Sequence, residues 1–308
     1  MQQFTAIMGK SKNTQSKTNK VLKLLLKVII TVVCLWYVSG KIDFAKAGDA
    51  LKNTSWFYLF AALFLFIFSK IISAKRLNIY FKNINVHLPE WENIKLYWLG
   101  MFYNLFLPGS ISGDAYKVII LTKKYNVPYQ KTTAAVLLDR FSGLLGLGLV
   151  LAAYSIITLD NNLYITFLVI GSLLAVQASY FIIKRYFKDF ISSFAPTLLL
   201  GIIVQASQVV CVYLIMAALK IPAHSTEYIF IFLISSIVSV LPLTIGGLGI
   251  REVVFLEGSE YFGLSQETSV VISILFYLIT LFTSACGMYY VFKSPLKEKG
   301  FSDEPLIS

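Results

Sequence analysis

Six ionisable side chains sit where an apolar chain has least reason to keep them: Asp114, Lys117, Asp139, Arg140, Arg251 and Glu252. Each lies inside or beside an apolar run, and ionised groups at membrane depth are costly, paired and tied to function. Asp114-Ala115-Tyr116-Lys117 places an acid and a base one turn apart on one helix face. Asp139-Arg140 is different: neighbours in sequence point different ways on a helix, so each needs a partner from another element. The chemistry on offer is capture of an anion. Arg140 and Arg251 would hold a phosphate, and Asp114, Asp139 and Glu252 would neutralise the bases of an empty site or meet a cationic group. If all six converge, three acids balance three bases; the alternative is a static ion-pair lock between elements. Lys70, near the end of its apolar run, reads as a side chain that snorkels and has no role.

Four of these six groups follow a break in the chain. The first break spans Leu107 to Asp114 and includes Pro108, Gly109 and Gly113; the second spans Leu241 to Glu252 and includes Pro242, Gly246, Gly247 and Gly249. The apolar runs flanking the second break are each too short to cross a bilayer, which needs roughly 20 residues. Irregular backbone at that depth is tolerated where protein or a wet cavity surrounds it. A short helix is predicted to start after each break, near Ser112-Gly113 and near Gly249. Its first turn presents unpaired N–H groups and partial positive charge to an anion. The bland alternative is that these residues merely permit turns. Gly143, Gly146, Gly148 and Gly171, inside longer runs, read as sites of close helix packing.

The rest of the chain reads as scaffold. Hydrophobic residues make up 57% of the 308 and charged ones 14%, with mean hydropathy +0.72. That composition predicts an all-α polytopic membrane protein. Full spans are expected at 21–40, 56–74, 132–158, 163–183, 197–219 and 265–291, with two re-entrant hairpins at 94–121 and 227–262. Residues 1–20 read as a disordered basic cytosolic tail, 21–292 as one transmembrane domain and 293–308 as a second cytosolic tail. Cys34, Cys211 and Cys286 lie in separate apolar runs and read as small buried hydrophobes. His87 and His224 are too far apart for a metal or triad site, so neither metal nor cofactor is expected.

Charge placement sets the expected topology. With both ends cytosolic and both hairpins returning to the side they entered, nineteen of the 27 Lys and Arg fall inside and four outside; Lys70, Lys117, Arg140 and Arg251 remain at depth. Crossing hairpins would instead carry the basic loops at 123–131 and 184–188 outside. The formal charge of +11 is then a membrane-orientation signal and implies no nucleic acid. Hairpins of opposite entry, each broken by Gly and Pro, are the pattern of inverted-repeat transporters, whose site lies near the midplane.

At these residues the chain resembles a known family. Asn104 to Asp114, Leu138-Asp139-Arg140 and Leu241 to Glu252 are similar to motifs of the lysylphosphatidylglycerol synthase transmembrane-region (flippase-like) family, over about residues 21–292. The resemblance is to the flippase half of enzymes that make and flip lysyl-phosphatidylglycerol. It implies lipid translocation by alternating access, and a substrate-binding set of Asn104, Asp114, Lys117, Asp139, Arg140, Arg251 and Glu252. The family often has Glu-Arg where this chain has Asp139-Arg140, which keeps the charge and shortens the reach. Relatives are linked to aminoacylated phospholipids, hopanoids and polyprenyl-linked sugars, so the likeness fixes no single lipid. Two rival readings remain: a non-transporting subunit that presents lipid to a separate synthase or glycosyltransferase, and an aminoacyltransferase. The chain stops soon after the last span, so no transferase activity is expected of it.

Overall fold

The computed structural model describes residues 22, 25–52, 54–106, 112–221, 224–241 and 243–296. A first helix, α1, covers 25–41. It is followed by α2 (Phe44–Lys52), α3 (Trp56–Lys82), α4 (Glu90–Phe106), α5 (Ser112–Tyr125), α6 (Tyr129–Thr158) and α7 (Asn162–Tyr186). A 3-10 turn, Lys188–Ser193, leads into α8 (Phe194–Ala218), and then come α9 (Ser225–Val240), α10 (Ile250–Tyr261) and α11 (Gln266–Ala285). A second 3-10 turn and a short α12 (Tyr289–Phe292) close the described chain. The protein is an all-α multi-pass membrane protein. Among the described residues, five helical stretches are long and apolar enough to cross a bilayer: those of α3, α6, α7, α8 and α11. The sixth expected span, 21–40, lies partly outside the described residues; its described part is helical.

The largest departure from expectation is the length of α3. Lys75-Arg76 ends the apolar run, yet the helix continues to Lys82, because Leu77, Tyr80 and Phe81 are buried beyond the charged pair. It stops where Asn85 takes the left-handed conformation, φ +60°. α3 and α8 pack along each other as the central pair of the bundle, and α6 crosses α8 where Gly146 lies against the backbone of Gly201. A Cβ on Gly146 would come within 2.6 Å of that backbone, so the crossing needs glycine.

Contacts at the two ends of the bundle fix how the short helices enter. At one end, Lys82 pairs with Glu90 at 3.7 Å, Lys124 with Glu92 at 3.5 Å and Lys131 with Asp189 at 2.7 Å. These join the end of α3, the start of α4, the end of α5, the start of α6 and the turn after α7. At the opposite end, the Ser55 N–H donates to the carbonyl of Ala218 at 3.0 Å, and Lys41 pairs with Glu260 at 3.5 Å. α4 and α5 therefore form a hairpin that dips in from the first end, and α9 and α10 one that dips in from the second. Each has its own apolar core: Leu96, Val118 and Leu121 belong to one, Ile229 to Leu233 and Phe255 to the other.

Candidate functional site

The second break meets the end of α4 inside the bundle. Gly246, Gly247 and Gly249 hold φ of +62°, +85° and +87°, a region that favours glycine. A Cβ on Gly246 would strike the side chain of Leu105, the penultimate residue of α4. The end of α4 thus rests against the loop of the second hairpin. α1 braces that loop from behind. Thr31 Oγ1 accepts the Ile245 N–H at 3.2 Å, and a Cβ on Gly249 would lie 2.9 Å from Cys34 Cβ and 3.0 Å from the Thr31 carbonyl. Pro108, Gly109 and Pro242, expected as break residues, lie outside the described residues.

In the first hairpin, Asn104 Oδ1 accepts the Gly113 N–H at 2.8 Å, so a side chain of α4 caps the first turn of α5. Gly113 lies on the backbone of Gly100, and the stem of Lys117 runs across Gly100 as well. Lys117 Nζ donates to Asp114 Oδ1 at 3.0 Å and sits 4.7 Å from the centre of the Tyr97 ring. Arg140 Nε donates to the other carboxylate oxygen, Asp114 Oδ2. Asp114 therefore lies between two bases, as its spacing to Lys117 predicted for one of them.

Asp139 turns the other way on α6 and meets a base that the charge placement had set in a loop. Arg76 Nε donates to Asp139 Oδ1 at 2.8 Å, with side chains only 6% and 9% exposed. The guanidinium occupies the space left by two glycines: a Cβ on Gly143 would fall 2.9 Å from Arg76 Nη1, and one on Gly201 3.5 Å from it. Arg76 Nη1 has no hydrogen-bond partner among the described residues.

Glu252 takes a structural part in the second hairpin. Its Oε2 accepts the Gly249 N–H at 2.6 Å and its Oε1 the Ser273 hydroxyl at 2.8 Å, at 1% exposure. Gly249 has no side chain to return the bond, so half of a capping box forms. Arg251 faces rings instead of an acid: Phe276 at 4.8 Å and Phe232 at 5.9 Å from its guanidinium carbon. The balanced cluster of six is thus corrected. Three of the six, Asp114, Lys117 and Arg140, form one ion-paired group; Asp139 leaves it for Arg76, Glu252 for a backbone cap and Arg251 for aromatic faces. The cause is helical rotation, which aims Asp139 at α3 and Arg140 at α5.

Between the end of α4 and the loop of the second hairpin lies a cavity of about 350 Å³. Lys70, Asn104 and Arg140 line one side, Ser239, Gly246 and Gly247 the other, and Thr280 and Ser284 come from α11. Among the described residues, no carboxylate lines it. Lys70 is the residue the sequence reading missed. With α3 extending to Lys82, Lys70 stands mid-helix, roughly 21 Å from its start and 18 Å from its end at 1.5 Å per residue, and its side chain lines the cavity. Its Nζ lies 4.5 Å from the centre of the Phe66 ring, with no carboxylate in ion-pair distance among the described residues. The signal was available: Lys70 is a lone base in an apolar run whose helix had to continue to bury Leu77, Tyr80 and Phe81.

A charge-lined interior ringed by helices of spanning length defines a polytopic membrane protein with ionised groups inside its helix bundle. Within that class, the family model for the lysylphosphatidylglycerol synthase TM region matches residues 24–287, and the chain belongs to that family. The match takes in both hairpins and every charged group of the cavity. A UPF0104 membrane protein of Pyrococcus horikoshii is 26% identical over 123 residues, which is 39% of this chain and 36% of that protein. The chain thus spans about a third of the length of the curated relative it matches.

Proposed function

We propose that the protein is a lipid translocase of the cell membrane, moving a phospholipid or polyprenyl-type lipid between leaflets by alternating access. The observation that carries this reading is the cationic cavity between the end of α4 and the loop of the second hairpin, in a pair of broken hairpins that enter from opposite ends. A headgroup crossing hydrocarbon needs its charge met on the way, and Lys70 and Arg140 stand in that cavity. Arg140 is the switch: it holds Asp114 in the structure, and an entering phosphate competes with that carboxylate for it. Rocking one hairpin against the other at the Leu105–Gly246 contact then opens the cavity to one end or the other. The membership in a family of lipid-related membrane regions supports the same reading. In the bilayer, the end bearing Lys82, Lys124 and Lys131 faces the cytosol, as the excess of basic residues there favours.

Reconstitution tests it. Purified protein in proteoliposomes should accelerate leaflet transfer of a fluorescent anionic phospholipid, and Arg140→Ala should reduce the rate at least tenfold with its melting temperature near that of the wild type. Equal rates for the two would remove Arg140 from the path. A wild type that moves no lipid alone, yet purifies with a lipid-modifying enzyme, would replace the translocase with a docking subunit.

A further inference from the structure

We infer that the cavity takes a lipid whose headgroup ends in phosphate and bears no ammonium group, with Lys70 as a direct contact to the anion. The inference rests on the translocase reading for the ligand's being a lipid, and on the charge inventory of the cavity for its sign.

The inventory is one-sided. Lys70 and Arg140 line the cavity, and none of its lining residues is an acid. Among the described residues, the deep carboxylates are already engaged. Asp114 is held between Lys117 and Arg140, Asp139 is shut against Arg76, and Glu252 spends both oxygens on Gly249 N–H and the Ser273 hydroxyl. Lys70 has no carboxylate within ion-pair distance among the described residues, and its Nζ lies over the Phe66 ring at 4.5 Å. A half-buried ammonium that lines a cavity, with a ring face and no carboxylate beside it among the described residues, favours an anion there. An ammonium-bearing headgroup would bring one more positive charge against Lys70 and Arg140, and Asp114, when Arg140 turns to the phosphate, is still held by Lys117. The hydroxyls of Ser239, Thr280 and Ser284 and the amide of Asn104 add hydrogen-bonding groups for phosphate oxygens.

The cavity also has an apolar doorway. Val240 and Leu241 line it and are 49% and 54% exposed, so an acyl or isoprenoid chain can lie along them while the phosphate stays inside. That feature separates a lipid phosphate from free phosphate, which would gain nothing there.

The test is binding, measured apart from transport. Full-length protein in detergent is titrated with dihexanoyl phosphatidic acid, dihexanoyl phosphatidylethanolamine, lysyl-phosphatidylglycerol and inorganic phosphate, followed by thermal shift. Phosphatidic acid should bind at least tenfold tighter than either ammonium lipid and than inorganic phosphate. Lys70→Gln should weaken phosphatidic acid about tenfold or more, the loss expected for one charge-assisted hydrogen bond, whereas Lys70→Arg should largely restore it. Without ligand, Lys70→Gln should melt no lower than the wild type, since it removes an uncompensated half-buried charge; a marked fall would make Lys70 structural and overturn the assignment. Equal or tighter binding of lysyl-phosphatidylglycerol would overturn the charge selection, and equal binding of inorganic phosphate would overturn the lipid. Failure of transport has a separate signature. Binding in the expected order with no leaflet transfer in proteoliposomes would keep this site and sink the translocase.

Discussion

Arg76 and Lys70 lie less than two helical turns apart on α3 and do opposite things with their charge. Arg76 is spent: it is buried against Asp139 in a seat cut by Gly143 and Gly201. Removing one member strands the other in a water-poor interior, so Asp139→Ala should destabilise by about 3–5 kcal/mol. The double variant Arg76→Met, Asp139→Leu should recover most of that, because it leaves no lone charge. Thermal unfolding of the three proteins in one detergent checks this, and a double variant as unstable as the single one would refute it. The pair was half-legible. Asp139 stood out as an acid at depth, but Arg76, beside Lys75 at the end of an apolar run, looked like a loop residue. Gly143, one turn beyond Asp139, was the missed clue, since a small residue there leaves room for a long base.

At the scale of elements, the glycines sort by what stands next to them. Gly249 combines φ +87° with contact to α1, so Gly249→Ala meets both backbone strain and a clash with Cys34 and Thr31. It should cost about 1–3 kcal/mol and loosen the second hairpin from α1. Gly148 is the control: it is helical with open space around its Cα, and Gly148→Ala should be neutral or stabilising by up to about 1 kcal/mol. Equal losses at both positions would mean that the second break is not held in the geometry described. The sequence marked both breaks and the short helices after them, because Gly clusters and a shortage of apolar length are local signals. It misjudged how far α3 runs, because the residues that prolong it are buried by contacts from elsewhere in the chain.

For the molecule as a whole, the ends of the helices set a sidedness that labelling can read. In a cysteine-free background, Lys123→Cys and Lys188→Cys should react from one side of the membrane, and Lys46→Cys and Lys220→Cys from the other. With the orientation proposed above, a membrane-impermeant maleimide added to intact cells should label only the second pair. Labelling of Lys123→Cys from outside would mean that the first hairpin crosses the membrane, and the opposed-hairpin arrangement would fall.

Sequence alone determined the membrane class, the two breaks and the identity of most deep charges, because hydropathy, glycine and ionisable residues at depth are properties of short segments. Which charge meets which was decided by the tertiary structure. Pairing depends on helix rotation and on where two glycines leave space, and neither is written in the spacing of residues along one chain. Thus Asp139 went to Arg76, Glu252 to a backbone N–H, and Lys70, read as idle, came to stand in the cavity.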